Sequence, residues 1–142
     1  MVVRVKAAEV KVGTELPAQS IVLKRVDLVK YAGASGDFNV IHWNERVATE
    51  VGLPNVIAHG MLTMAEAIRV VTDWCGDPGA VVEYSTRFTK PVPVPDDDMG
   101  ATLDIQGTVI ERLDNGRVKV DLVVTCNGTK VLGMARAVVQ LS

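Results

Sequence analysis

Asp37 and His42 stand five residues apart in the segment 31–42, Tyr-Ala-Gly-Ala-Ser-Gly-Asp-Phe-Asn-Val-Ile-His. A carboxylate is normally ionised at neutral pH and an imidazole titrates near it, so the two residue types together can take and give protons. On a continuous helix five residues turn one side chain about 140° from the other, and the pair would diverge. A loop between them is therefore required. Gly36 and Asn39 supply one, because glycine has access to positive φ and asparagine tolerates the left-handed region and bonds its own nearby backbone. The spacing predicts a helix over 26–34 that breaks into a tight loop presenting Asp37 and His42 to a common point. The same residues have a plainer use: Ser-Gly-Asp-x-Asn also serves as cap and turn chemistry alone, and a lone histidine after such a turn is commonly structural.

A second element must complete such a site. Ile57-Ala58-His59-Gly60-Met61-Leu62 leads into an apolar segment, 61–74. A helix start there would present free N–H groups and a partial positive charge, suited to an anion or a polarised carbonyl oxygen. Glycine at position 60 lets a ligand come close to the backbone. His59 reads as a residue that lines or braces the loop rather than as a second reacting imidazole, and Cys75 and Cys126 as small buried hydrophobes. Over 61–74 the apolar residues cover most of the circumference, the mark of a buried helix. Glu66, Arg69 and Asp73 fall in a sector of about 60°, at spacings that allow Glu66 to pair with Arg69 and Arg69 with Asp73.

The remaining elements supply the surroundings. A strand is predicted over 20–24, a helix over 44–51 ended by Gly52 and Pro54, and a strand over 80–89. Pro91-Val-Pro-Val-Pro95 reads as an extended connector that cannot lie in a central ladder. Alternating strands begin near 103 and 117, a third runs over 130–141, and Asn115-Gly116 and Asn127-Gly128 mark tight hairpins between them. One buried helix at about residues 60–75 and a long antiparallel sheet predict an α+β fold with the sheet curled around the helix.

Tyr31, Gly36, Asp37, Asn39, Ile41, His42 and Ala48 fall at the offsets of a known signature. They resemble the MaoC-like family of R-specific enoyl hydratases and dehydratases, with Val40 where that family usually has proline. Valine there frees φ and restores a backbone donor. The resemblance implies the hot-dog fold, one MaoC-like domain over 1–142, and a hydro-lyase that dehydrates (3R)-3-hydroxyacyl thioesters or hydrates trans-2-enoyl thioesters. It implies catalytic roles for Asp37 and His42, a thioester carbonyl held by the Gly60 N–H, and no metal or other cofactor. Ile68 sits where some relatives carry a hydroxyl that assists the site.

Within the family, Ala58-His59-Gly60-Met61-Leu62-Thr63-Met64, Trp74, the Gly76 to Val81 run, Arg87-Phe88 and the prolines of 91–95 are similar to the catalytic subunits of mycobacterial (3R)-hydroxyacyl-carrier-protein dehydratases. That implies fatty-acid (mycolic acid) elongation on acyl-carrier-protein thioesters and a heterodimer with a related hot-dog subunit lacking the dyad. The alternatives are a homodimeric, stand-alone R-specific enoyl-CoA hydratase and a non-catalytic acyl-binding subunit. A hot-dog thioesterase fits less well, because the helical acids Glu66 and Asp73 belong to the polar stripe.

Composition limits the rest. At 142 residues, 48% hydrophobic and 23% charged, the chain has the size and make-up of one globular domain. A net charge of -2 with 15 scattered Lys and Arg gives no nucleic-acid footprint. Arg4, Lys6, Glu9 and Lys11 leave no room for the apolar segment of a signal peptide, and no uncharged run approaches a membrane span. A cytoplasmic protein without membrane insertion is expected. Two cysteines at unrelated spacing and two histidines support neither a disulfide framework nor a zinc centre.

Overall fold

Three long strands meeting at the two Asn-Gly pairs form the middle of the sheet in the computed structural model, which describes residues 4–142. They are β3 (Ala101–Arg112), β4 (Arg117–Cys126) and β6 (Leu132–Gln140), flanked by β1 (Gln19–Leu23) and β2 (Val81–Phe88) in the antiparallel order β1-β3-β4-β6-β2. The third strand expected over 130–141 is divided, with β5 (Thr129–Lys130) pairing back onto β4. The two turns differ. Asn127 and Gly128 both have positive φ (51° and 75°) in a two-residue turn, as type I′ geometry requires. Asn115 and Gly116 belong instead to a longer loop, closed by the Leu113 N–H on the Arg117 carbonyl at 2.8 Å.

Alternate residues of the strands face one core. Leu103, Ile105 and Val109 of β3, Val120, Leu122 and Val124 of β4, and Ala135, Ala137 and Val139 of β6 are all buried. Against them lies the central helix, and here the structure corrects the expected single segment over 61–74. It consists of α3 (Gly60–Ala67) and α4 (Arg69–Cys75), interrupted at Ile68, whose carbonyl accepts the Val71 N–H at 2.9 Å in a tighter, i to i−3 bond. Nor is it buried all round. Leu62, Thr63, Ala67, Val70, Val71 and Cys75 face the core, while Met61 and Ala65 are exposed. Glu66 and Arg69 pair at 3.0 Å as expected, but Asp73 accepts from Gln19 Nε2 at 2.8 Å rather than pairing with Arg69.

Two contacts set how the helix meets the sheet. A Cβ at Gly107 of β3 would lie 3.3 Å from Val70 Cγ1 and 3.2 Å from Leu16 Cδ2, so glycine admits α4 at this distance. The Tyr84 hydroxyl on β2 donates to the Met64 carbonyl at 2.7 Å, and burial raises its pKa.

The outer helices hold the loops. Helix α1 (Arg25–Ser35) buries Leu28 and Ala32, leaves Val26 and Val29 exposed, and starts at Arg25, whose guanidinium bonds the Val94 carbonyl and Asn55 Oδ1. Helix α2 (Glu45–Glu50) is capped by Asn44 Oδ1, which accepts the Val47 N–H at 3.1 Å. The proline-rich connector lies outside the main ladder yet is not idle. Val94 N–H donates to Val56 and Ala58 N–H to the Val92 carbonyl, both at 2.9 Å, which fixes the segment leading into α3. No helix among the described residues is long and apolar enough to cross a membrane.

Candidate active site

Helix α1 ends at Gly36, whose left-handed φ of 77° turns the chain while its N–H closes on the Ala32 carbonyl. Side chains then build the loop. Asp37 Oδ1 accepts the Asn39 N–H at 3.1 Å, and Asn39 Oδ1 accepts the Ile41 N–H at 3.3 Å, capping a single 3₁₀ turn over Val40–His42. Asn39 itself has φ −56°, so it contributes its side-chain acceptor and not the left-handed conformation expected of it. Val40 opens the turn, where a residue's N–H needs no partner within the helix, so valine serves where proline would.

This geometry sets Asp37 Oδ2 3.9 Å from His42 Nε2. The distance is too long for a direct hydrogen bond but leaves room for one oxygen bonded to both. His42 is nearly buried, and its Nδ1 lies 2.7 Å from the Ile57 carbonyl. A carbonyl only accepts, so Nδ1 carries a hydrogen, and Nε2, facing Asp37, is the nitrogen left to take or give a proton.

His59 is the most buried of the three, 1% exposed. Its ring stacks on His42 with centroids 3.8 Å apart and planes 22° apart, and meets the Tyr31 ring edgewise at 4.7 Å. Its Nε2 is 3.1 Å from the Asp37 carbonyl. Burial lowers its pKa below the ordinary 6.5, with the neighbouring His42 adding to the effect and the Asp37 carbonyl opposing it. Donor atoms of Asp37, His42 and His59 lie within 4.8 Å of one another. His42 Nδ1 and His59 Nε2 each lie on a backbone carbonyl, which leaves His42 Nε2 facing Asp37 Oδ2, an arrangement suited to proton transfer.

Gly60 is the first residue of α3, where its N–H has no acceptor within the helix. It shares with His42 a cavity of about 270 Å³ whose walls include Thr63, Phe88, Val131 and Leu132. A Cβ at Gly60 would come within 3.1 Å of three atoms of the Phe88 ring.

Residues 6–127 match the family model described as MaoC like domain. The chain belongs to the MaoC-like domain family. The domain is similar to 3-hydroxyacyl-thioester dehydratase X of Mycobacterium tuberculosis, 39% identical over 79 residues, 56% of this chain and 27% of that protein. It is also similar to the (R)-specific enoyl-CoA hydratase of Rhodospirillum rubrum, 36% identical over 87 residues, 61% of this chain and 60% of the other. Among solved structures, a MaoC-like dehydratase superposes with a TM-score of 0.94 at 40% identity, covering 98% of this chain and 43% of the other. R-hydratase PhaJ1 from Pseudomonas aeruginosa superposes with a TM-score of 0.78 at 28% identity, covering 97% and 86%. The MaoC-like domain thus has the hot-dog α+β fold, and spans about a quarter to three fifths of the length of these curated relatives.

In this MaoC-like domain, Asp37 and His42 are brought together, and Gly60 meets His42 through the cavity, whose walls do not include Asp37. Ile68 stays at the helix junction, away from that wall, and Cys75 and Cys126 are buried free thiols outside it, burial raising the pKa of Cys126. Thr63, Phe88 and Leu132 were not foreseen as lining residues. Thr63 lies three residues after Gly60 on the same helix face, a readable spacing. Phe88 and Leu132 arrive from strands, and alternation shows which face a strand residue takes but not which end abuts α3.

Proposed function

We propose that this chain interconverts trans-2-enoyl thioesters and (3R)-3-hydroxyacyl thioesters as a hydro-lyase, using Asp37, His42 and the Gly60 N–H. The observation that carries the reading is the 3.9 Å gap between Asp37 Oδ2 and Nε2 of His42, one oxygen wide, beside a cavity headed by Gly60. The substrate carbonyl sits on the Gly60 N–H, which stabilises the enolate-like charge; one donor of this type is worth about 3 kcal/mol. Because His42 and not Asp37 lines the cavity with Gly60, His42 handles the proton at C2, next to that carbonyl. Asp37, half exposed and with Oδ2 free, handles the oxygen at C3. In hydration the pair starts with Asp37 as the carboxylate and His42 carrying a second proton on Nε2; the water between them loses a proton to Asp37 as its oxygen bonds C3, His42 delivers its Nε2 proton to C2, and the proton on Asp37 then passes to His42 to reset the pair. Dehydration is the reverse.

The names of the relatives support the substrate class, a dehydratase of 3-hydroxyacyl thioesters in one and an enoyl-CoA hydratase in another. A mitochondrial 3-hydroxyacyl-[acyl-carrier-protein] dehydratase of Arabidopsis thaliana, 34% identical over 91 residues, supports a place in fatty-acid elongation, with mycolic-acid elongation as the finer placement. The working form is a dimer, either with itself or with a related hot-dog subunit lacking the dyad.

Crotonyl-CoA and a longer trans-2-enoyl-CoA, offered to the purified chain alone and co-expressed with a candidate subunit, test this through loss of the enoyl absorbance. Wild type is expected to turn over, and Asp37→Asn and His42→Ala to lose about 100-fold or more, the scale of acid-base groups. Silence of every form, partnered or not, sinks the proposal.

A further inference from the structure

We propose that His59 is a positioning residue, fixing Asp37 through its carbonyl and the plane of the His42 ring through its own face. The inference rests on the hydro-lyase reading of the site, and its starting point is how each member of the pair is tied to the fold. The other hydrogen bonds of Asp37 run to Ser35 and Asn39, two residues away on either side. Among the described residues, the bond from His59 Nε2–H to the Asp37 carbonyl is the one that reaches Asp37 from outside its own loop. His42 is held from the same segment, by the Ile57 carbonyl on Nδ1 and by the stacked His59 ring. Residues 57 and 59 therefore set the 3.9 Å gap between them, and Ala58, clamped to the Val92 carbonyl, fixes the segment.

His59 Nδ1 gives the second observation. It is buried and has no hydrogen-bond partner. A buried unpaired nitrogen is destabilising, so the fold keeps an imidazole here at a cost that an apolar ring of similar size would not carry. With Nε2–H committed to a carbonyl and no acceptor at Nδ1 for a second N–H, the ring is neutral in a single tautomer. The titratable groups packed on it are Asp37 and His42 from the loop and Tyr31 from α1. A neutral ring beneath His42 accommodates the positive charge His42 gains from the C2 proton, whereas a charged ring would repel it.

With two histidines in the chain, an imidazole ¹⁵N spectrum contains two rings, which makes the tautomer of His42 directly readable. His59→Phe keeps a flat ring and loses the donor; His59→Gln keeps a donor and loses the ring. For both, thermal unfolding, kcat and KM on crotonyl-CoA, and the His42 spectrum are measured. Misplacement of reacting groups by a fraction of an ångström lowers turnover more than binding. The expected result is a kcat roughly tenfold or more below wild type in each, KM within about threefold and melting within a few degrees, with the His42 resonances moved in His59→Gln, which loses the stacked ring, and close to wild type in His59→Phe, which keeps it. Each should also exceed His59→Ala in kcat, since each retains one contact. Turnover within twofold of wild type in a folded variant, with the His42 spectrum unchanged, overturns the proposal. If wild type hydrates no enoyl thioester, the hydro-lyase reading fails separately, and the His42 spectrum of His59→Gln against His59→Phe still decides whether the His59 ring positions His42.

Discussion

Replacing Asp37 by asparagine changes one of its two side-chain oxygens. The remaining Oδ1 can still accept the Asn39 N–H, so the loop that caps itself through Asp37 and Asn39 should keep its shape. Asp37→Asn is therefore expected to melt within a degree or two of wild type while losing the activity described above, which separates chemistry from folding in one variant. His59 gives a prediction of the opposite kind, about stability. Unfolded, it titrates near 6.5; folded, burial lowers that value. Between the two values the unfolded chain holds a proton that the folded chain refuses, so stability falls as pH drops from about 7 through that window. Urea midpoints at pH 7.5 and 5.5 should show this loss in wild type and a smaller loss in His59→Phe; equal slopes in the two would remove His59 as the source.

At the scale of elements, the close fit of α4 on β3 depends on a missing side chain. A methyl group at Gly107 would meet Leu16, Leu122 and Val70 at 3.2–3.3 Å, and these side chains are themselves buried and cannot swing aside. Gly107→Ala is expected to destabilise the fold by about 1–3 kcal/mol, the usual range for overpacking. Strand β6 holds the reverse case. Met134 adopts φ 48° where the β2 to β6 register shifts, and its side chain is exposed, so little packing is lost by removing it. Strain of this type is worth about 1–3 kcal/mol, partly offset by the greater unfolded-state freedom of glycine. Met134→Gly should stabilise by roughly 0.5–1 kcal/mol in urea unfolding; a loss would show that the Met134 side chain holds the bulge.

At the scale of the whole molecule, β2 is a terminal strand with one edge unpaired, and Val82 and Phe88 stand exposed along it. A strand edge with apolar neighbours invites pairing with another chain. The dimer proposed above is expected to pair along this edge, and because Phe88 of β2 lies against Gly60, pairing there would also settle the wall of the cavity. Sedimentation is expected to give twice the 15.2 kDa chain mass, or a one-to-one complex with a related subunit. Val82→Lys, placing a charge along the edge, should shift the chain toward monomer and lower turnover; a fully dimeric Val82→Lys would put the interface elsewhere.

The local placement of Asp37, His42 and Gly60 was legible because it depends on signals a few residues long: a glycine that ends a helix, side chains that cap the next turn, and a glycine at a helix start. The meander was legible for the same reason, through strand alternation and two Asn-Gly pairs. The break at Ile68, the exposure of Met61 and the exchange of Arg69 for Gln19 at Asp73 were not, since they depend on what the sheet leaves uncovered. The same holds within the site. His42 owes its tautomer to a carbonyl 15 residues away, Asp37 its long-range tie to a histidine 22 residues away, and the cavity its Phe88 wall to an edge strand. By itself the sequence determined which groups could exchange protons and where the chain would turn, because backbone conformation answers to near neighbours. Only the tertiary structure decided their spacing, tautomers and enclosure, because those follow from how the sheet packs on the helix.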